Sequence, residues 1–282
     1  MPTIMNIENK SFYDEAKAVI FNHAEWRPDL MVILGSGFSE LTKTLKRSTR
    51  ISYHVIPHFP AGDIMGIEGN LHVGLLGKRP IYCLQKRPHY YEGWSDFDMR
   101  FFIQLFAYLG VRHVILTNAC GAMNPSFQPG DIMLINDHIN QMGRNPLVGQ
   151  RADALGEQFV DMTTPYDLGL QNVALAAAKK QKIVLRQGVY VGYLGPSYET
   201  KSEIQAFRQM GGDVIGMSTV PEAIVARRSG MKVLGLSCIT NRATGLSLEI
   251  LSHEAVLSVS QQITSNLFPL VKEIVSRIDQ QA

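Results

Sequence analysis

Polar groups, side chains or open backbone amides, stand at five places in this chain where a buried strand gives way to a turn or a helix. They are Ser36; Arg87 with His89; Ala119; the pairs Tyr198-Glu199 and Met217-Ser218; and Asn241. The chemistry these types supply together is an anion site, a ring for stacking, and a carboxylate–amide pair. Each stretch alone also has a plainer reading. Gly35-Ser36-Gly37 follows an apolar run as a phosphate loop does, but it lacks the third glycine of a dinucleotide fingerprint and the lysine of a P-loop, so a tight turn explains it. Residues 86–93 are dense in cations and aromatics, which suits an anion beside a flat ring or a sugar; a solvated loop looks the same. Residues 212–222 describe a strand end, a turn at Gly216 and a helix start. There a hydroxyl at Ser218 and an amide at Met217 could cradle an anion and a sugar, or cap an ordinary junction.

These groups need elements to position them. Thr219 with Glu222 reads as a capping box, with Pro221 in the first turn, and Thr200 with Glu203 reads as a second. Helices are expected at 11–24, 39–46, 96–109 and 166–181, after Thr200, after Thr219, and from about Ser252, with His253 at that last start. Buried strands are expected at 29–34, 51–55, 70–76, 80–84, 114–117, 131–135, 184–193 and 231–238, with a hairpin bend at Gly77-Lys78-Arg79-Pro80. A long irregular segment at 141–165 suits an interface or a function. No repeat, low-complexity tract or linker interrupts the pattern. The reading is one α/β domain over residues 1–282, a mixed twisted sheet flanked by helices.

Composition narrows the partners. The chain has 282 residues with 27 Lys and Arg against 25 Asp and Glu, and no basic stripe, so nucleic acid is not expected. No apolar stretch is long enough to span a membrane and the N-terminus has no signal-peptide core, which leads to the expectation of a cytoplasmic protein. Cys83, Cys120 and Cys238 are odd in number and set in apolar strands, so they read as buried small hydrophobes. The eight histidines are dispersed, and Pro57 prevents His54 and His58 from sharing a helix face, so no metal site is expected. A Gly-x-Ser-x-Gly hydrolase elbow is absent.

Taken in order, several long motifs resemble one family. They are Gly35-Ser36-Gly37, Arg87 and His89 with Tyr91-Glu92-Gly93, Thr117-Asn118-Ala119, Asp137-His138-Ile139-Asn140, Gly195-Pro196-Ser197-Tyr198-Glu199-Thr200, Gly216-Met217-Ser218-Thr219-Val220-Pro221-Glu222 and Thr240-Asn241. In order and spacing, from about residue 30 to 275, the chain is similar to the trimeric purine nucleoside phosphorylases. That resemblance implies a homotrimer converting a purine nucleoside and phosphate to free base and pentose 1-phosphate, with no cofactor beyond phosphate as co-substrate. It assigns phosphate to Ser36, Arg87, His89, the Ala119 amide and Ser218, and ribose to Tyr91, the Met217 amide and His253. The base falls to Tyr198, Glu199, Asn241 and Ile215, with Asn241, Glu199 and His89 closest to the chemistry. Phe159 would reach into a neighbouring subunit's pocket.

The competing readings are a methylthioadenosine phosphorylase and a purine-binding protein of the same fold without turnover. Asn241 and His253 argue against the first, which would want an aspartate and an apolar residue there. Two positions depart from the family pattern. Gly66-Ile67-Glu68-Gly69 places Ile67 where relatives carry a phosphate-contacting histidine, with Glu68 expected to face solvent. Lys86 replaces a glycine and is expected to bring a cation toward the same anion.

Overall fold

The computed structural model describes residues 7–62, 68–247 and 253–278. Among them, nine strands form one mixed sheet: β1 (Leu30–Ile33), β2 (Lys46–Ser52), β3 (Asn70–Leu76), β4 (Arg79–Leu84), β5 (His113–Ala122), β6 (Ile132–Gln141), β7 (Leu185–Tyr193), β8 (Val214–Gly216) and β9 (Lys232–Arg242). The helices are α1 (Ile7–His23), α2 (Asp96–Tyr108), α3 (Leu168–Gln181), α4 (Lys201–Gln209), α5 (Val220–Arg228) and α6 (His253–Ile278).

Alternation along the central strands explains why helices cover both faces. Met31 and Ile33 of β1 and Tyr82 and Leu84 of β4 join one core, whereas Leu30 and Val32 with Ile81 and Cys83 join the other. A strand apolar on both sides must be buried on both. Residues of α1, α2 and α5 close the first core, and those of α3 and α6 close the second. All three cysteines are buried and unpaired, as their apolar settings predict. Among the described residues no helix is long and apolar enough to cross a membrane.

The sheet order is β2-β3-β4-β1-β5-β8-β7-β6-β9, and β9 also pairs with β5. Five strands therefore close into a ring, while β2, β3, β4 and β1 extend from it as an open wing. Strand β5 belongs to both. Its residues 113–116 pair in parallel with β1, and Gly121 and Ala122 pair antiparallel with β8. On that edge residues 117–120 lie between the two partners, and they pair only with β9 on the other edge. Such a fork is where an α/β sheet opens a crevice.

Several boundaries differ from the sequence reading. The expected helix at 39–46 is a 3-10 turn, Ser39–Thr44, after which the chain enters β2 at Lys46. The expected strand at 51–55 is the end of β2 followed by a second 3-10 turn, Tyr53–Val55. Strand β6 runs on to Gln141 because β7 pairs with it through Tyr193, although Asp137 and Asn140 break its apolar pattern. The capping box of Thr200 and Glu203 forms as predicted.

Candidate active site

A cleft opens at the fork of β5. It is bordered by Ser36, Arg87, His89, Tyr91, Ala119, Tyr198, Glu199, Ile215, Met217, Ser218 and Asn241, eleven of the thirteen residues singled out from the sequence. Close approach of β1 and β5 shapes its floor. A side chain at Gly35 would place Cβ 2.7 Å from the Asn118 Cα and 2.9 Å from the Thr117 carbonyl, so only glycine fits. The Gly35 N–H donates to Thr117 Oγ1 (3.0 Å), and that hydroxyl donates to the Ile33 carbonyl (3.1 Å).

One end of the cleft gathers cations and hydroxyls. The Arg87 side chain is buried, and its Nη1 pairs with Glu222 Oε1 at 2.9 Å. Its Nη2 donates to the carbonyls of Ile33 (3.2 Å) and Thr117. The Thr219–Glu222 capping box expected from the sequence does not form. Thr219 instead sits at φ 73° with its Oγ1 turned into the cleft wall, accepting from Asn118 Nδ2 at 2.9 Å, and Glu222 serves Arg87 rather than the helix start. A buried guanidinium needs a carboxylate more than an exposed cap does, and that requirement decides where Glu222 turns. The Ser218 N–H is not open either; it donates to the Tyr190 hydroxyl at 3.3 Å, while Ser218 Oγ lies 3.2 Å from Thr219 Oγ1.

His89 is fixed from two sides. Glu92 Oε1 lies 3.2 Å from its Nδ1, and the Tyr91 ring stacks on it at 4.7 Å between centroids. Trp94 Nε1 donates to the other Glu92 oxygen at 2.8 Å. Burial raises the Glu92 carboxyl, but the hydrogen bonds from His89 and Trp94 and the nearby positive charge outweigh it and hold the group below the usual range. Burial pushes the Tyr91 phenol up to about 12, so it stays a neutral donor near neutral pH.

The opposite end carries Tyr198, Glu199 and Asn241. Burial raises the Glu199 carboxyl above the usual carboxylate range, and among the described residues no cation pairs with it. Asn241 owes its direction to a bulge. Between β5 and β9 the register passes from Cys120↔Ile239 to Gly121↔Asn241, leaving Thr240 as the extra residue. A bulge of this kind re-aims the side chain beside it. Thr240 Oγ1 then donates to Asn241 Oδ1 at 2.8 Å, and Asn241 Nδ2 donates to the Arg242 carbonyl at 2.9 Å. The amide has one further N–H to offer. The arrangement can thus hold an oxyanion at one end and a flat donor–acceptor ring at the other.

Sequence reasoning did not single out Asn118, Tyr190, Thr240 and Glu222 for this wall. Asn118 inside an apolar strand was the available signal; the rest depends on a bulge and on burial. Of the remaining predicted residues, His253 opens α6 and its side chain lies outside the described residues, although Val256 one turn later borders the cleft. Phe159 stands apart from the cleft, 88% exposed, in the segment after β6. The motif Asp137–Asn140 lies on β6, where His138 Nδ1 is 3.1 Å from the Tyr166 hydroxyl. Gly66 and Ile67 lie outside the described residues. Glu68 is turned away from the cleft, as expected, accepting from Arg50 Nη2 (2.7 Å) and Ser52 Oγ (2.6 Å). The expectation for Lys86 is corrected: its Nζ donates to the Gly62 carbonyl at 2.8 Å and it does not border the cleft.

The family model of the phosphorylase superfamily matches residues 29–276. A purine nucleoside phosphorylase 1 of Geobacillus stearothermophilus is 42% identical, covering 95% of this chain and 97% of its own. The chain belongs to the purine nucleoside phosphorylase family. The mouse (Mus musculus) enzyme of that name is 38% identical over 96% of this chain and 98% of its own. Among solved structures, a Schistosoma mansoni purine nucleoside phosphorylase in complex with inosine superposes with a TM-score of 0.90 at 34% identity, covering 97% of both chains. A schistosomal phosphorylase in complex with hypoxanthine matches with the same TM-score at 33% identity.

Proposed function

We propose that this chain is a purine nucleoside phosphorylase selective for 6-oxopurines, releasing hypoxanthine or guanine and a pentose 1-phosphate. The observation that carries the reading is one cleft that joins Arg87, His89 and Ser218 at one end to Glu199 and Asn241 at the other. Inosine in one similar structure and hypoxanthine in another support the substrate class. Ser36, Arg87, His89, Ser218 and the Ala119 amide hold phosphate. Tyr91, the Met217 amide and His253 hold the ribose, and Tyr198 and Ile215 sandwich the base.

The residue types suit a reaction driven by position and electrostatics. The glycosidic bond breaks as the ribose becomes cation-like, and phosphate attacks C1′ without a protein nucleophile. The free Asn241 N–H donates to N7 as negative charge builds on the leaving purine. Glu199 accepts from N1–H, which 6-oxopurines have and adenine lacks, so the wrong base leaves a desolvated carboxylate unpaired. No metal or organic cofactor enters this account; phosphate is the co-substrate. A similar structure holds adenosine, which makes the discrimination in this chain one of turnover. Phe159 reaches a second copy's cleft in a homotrimer. Release of hypoxanthine from inosine, dependent on phosphate, tests the reading, and comparable turnover of adenosine would refute the selectivity. Mutation of Asn241 to Asp sharpens it, because a protonated Asp still donates to N7 and an ionised one accepts from an exocyclic amine. The adenosine-to-inosine ratio should rise.

A further inference from the structure

The cation-bearing end of the cleft contains a carboxylate that the reaction as described does not use. Glu222, in the first turn of α5, is 1% exposed and accepts from Arg87 Nη1 at 2.9 Å. Its Oε2 and the Arg87 Nε find no partner among the described residues. The guanidinium has five N–H groups in a fixed plane. Nη2 is engaged by the carbonyls of Ile33 and Thr117, and Nη1 by Glu222 and, at 3.5 Å, by Thr219 Oγ1, whose hold on Arg87 is the longer and weaker of the two. Glu222 therefore decides which N–H groups of Arg87 remain for an anion. It also cancels the charge that the anion meets, in surroundings where water screens little. The His89 imidazole at the same end has its own carboxylate in Glu92 at 3.2 Å.

We propose that Glu222 is a positioning residue for phosphate that holds Arg87 in place and tempers its attraction, so that phosphate and the sugar phosphate exchange readily. This rests on the assignment of this end of the cleft to phosphate. A purely structural Glu222 would matter for stability and for nothing selective. As a tempering group it opposes the anion, and removing its charge tightens phosphate binding.

Glu222→Gln keeps the shape and the acceptor oxygen while removing the charge. Titration of inorganic phosphate into the full-length protein by calorimetry should show about tenfold tighter binding than in the wild type, the scale of one charge-assisted contact. The KM for phosphate should fall in parallel, and the KM for inosine should stay within about twofold. Glu222→Asp keeps the charge but withdraws the carboxylate by one methylene, and it should raise the KM for phosphate several-fold more than that for inosine. If Glu222→Gln does not fold, the Asp variant decides alone. Weaker or unchanged phosphate binding in the folded Gln variant overturns the proposal, as do equal shifts in both KM values in the Asp variant. A wild-type protein that binds no phosphate and releases no base from inosine overturns the phosphate assignment itself, and this inference with it.

Discussion

The two ends of the cleft are built on opposite plans. At the anion end Arg87 and His89 each already have a carboxylate partner, Glu222 and Glu92. The hydroxyls there are joined as well, Ser218 to Thr219 and Thr219 to Asn118. At the base end Glu199 is buried with no cation beside it among the described residues, and Tyr198 is 40% exposed. One end is paired before any ligand arrives; the other keeps a desolvated carboxylate with no cation beside it among the described residues. Stability and recognition are therefore coupled at the first end and separable at the second.

The largest effect should come from breaking the prepared end. Arg87→Met leaves Glu222 buried without its cation, which costs about 3–5 kcal/mol of folding stability by denaturant melting. An unaltered midpoint would show that the pair is not structural. Glu199→Gln probes the other end and should behave in the reverse way. A carboxyl whose folded pKa is raised binds its proton more tightly in the folded state, so its ionised form disfavours folding above the unfolded pKa. Stability at neutral pH should be unchanged or higher in the Gln variant, while turnover of inosine falls by about 10²-fold. In the wild type, kcat/KM for inosine should fall on acidification through a pKa above the usual glutamate range, and Glu199→Gln should remove that limb.

Smaller changes sharpen the contrast. Gly35→Ala forces β1 and β5 apart beneath the anion end and should cost about 1–3 kcal/mol, with the KM for phosphate rising more than that for inosine. Tyr190→Phe removes the acceptor of the Ser218 N–H and is expected to cost only about 1 kcal/mol. A thermal melt with and without phosphate checks both; a Tyr190→Phe loss as large as that of Arg87→Met would place the hydroxyl, not the ion pair, at the centre of the prepared end.

Much of this was written in local sequence. The apolar runs at 29–34 and 80–84 marked strands, and Thr200 with Glu203 marked a helix start that forms as read. The strand ends named nine of the groups that meet in the cleft, and the family resemblance added Tyr91 and Ile215. These features depend on neighbours a few residues apart, and the sequence states them directly. What it could not state was which partner each polar group would take. Thr219 and Glu222 have the spacing of a capping box, yet Arg87, 135 residues away from Glu222, claims the carboxylate because a buried guanidinium cannot go unpaired. Lys86 reads as a cation for the anion and is held instead at Gly62. The bulge at Thr240 that turns Asn241 exists only because β9 pairs with β5 in a register 120 residues apart. Local pattern determined the elements and the identity of the reactive groups. The competition among distant groups for burial, charge and hydrogen bonds, which arises only once the chain is packed, decided how they face one another.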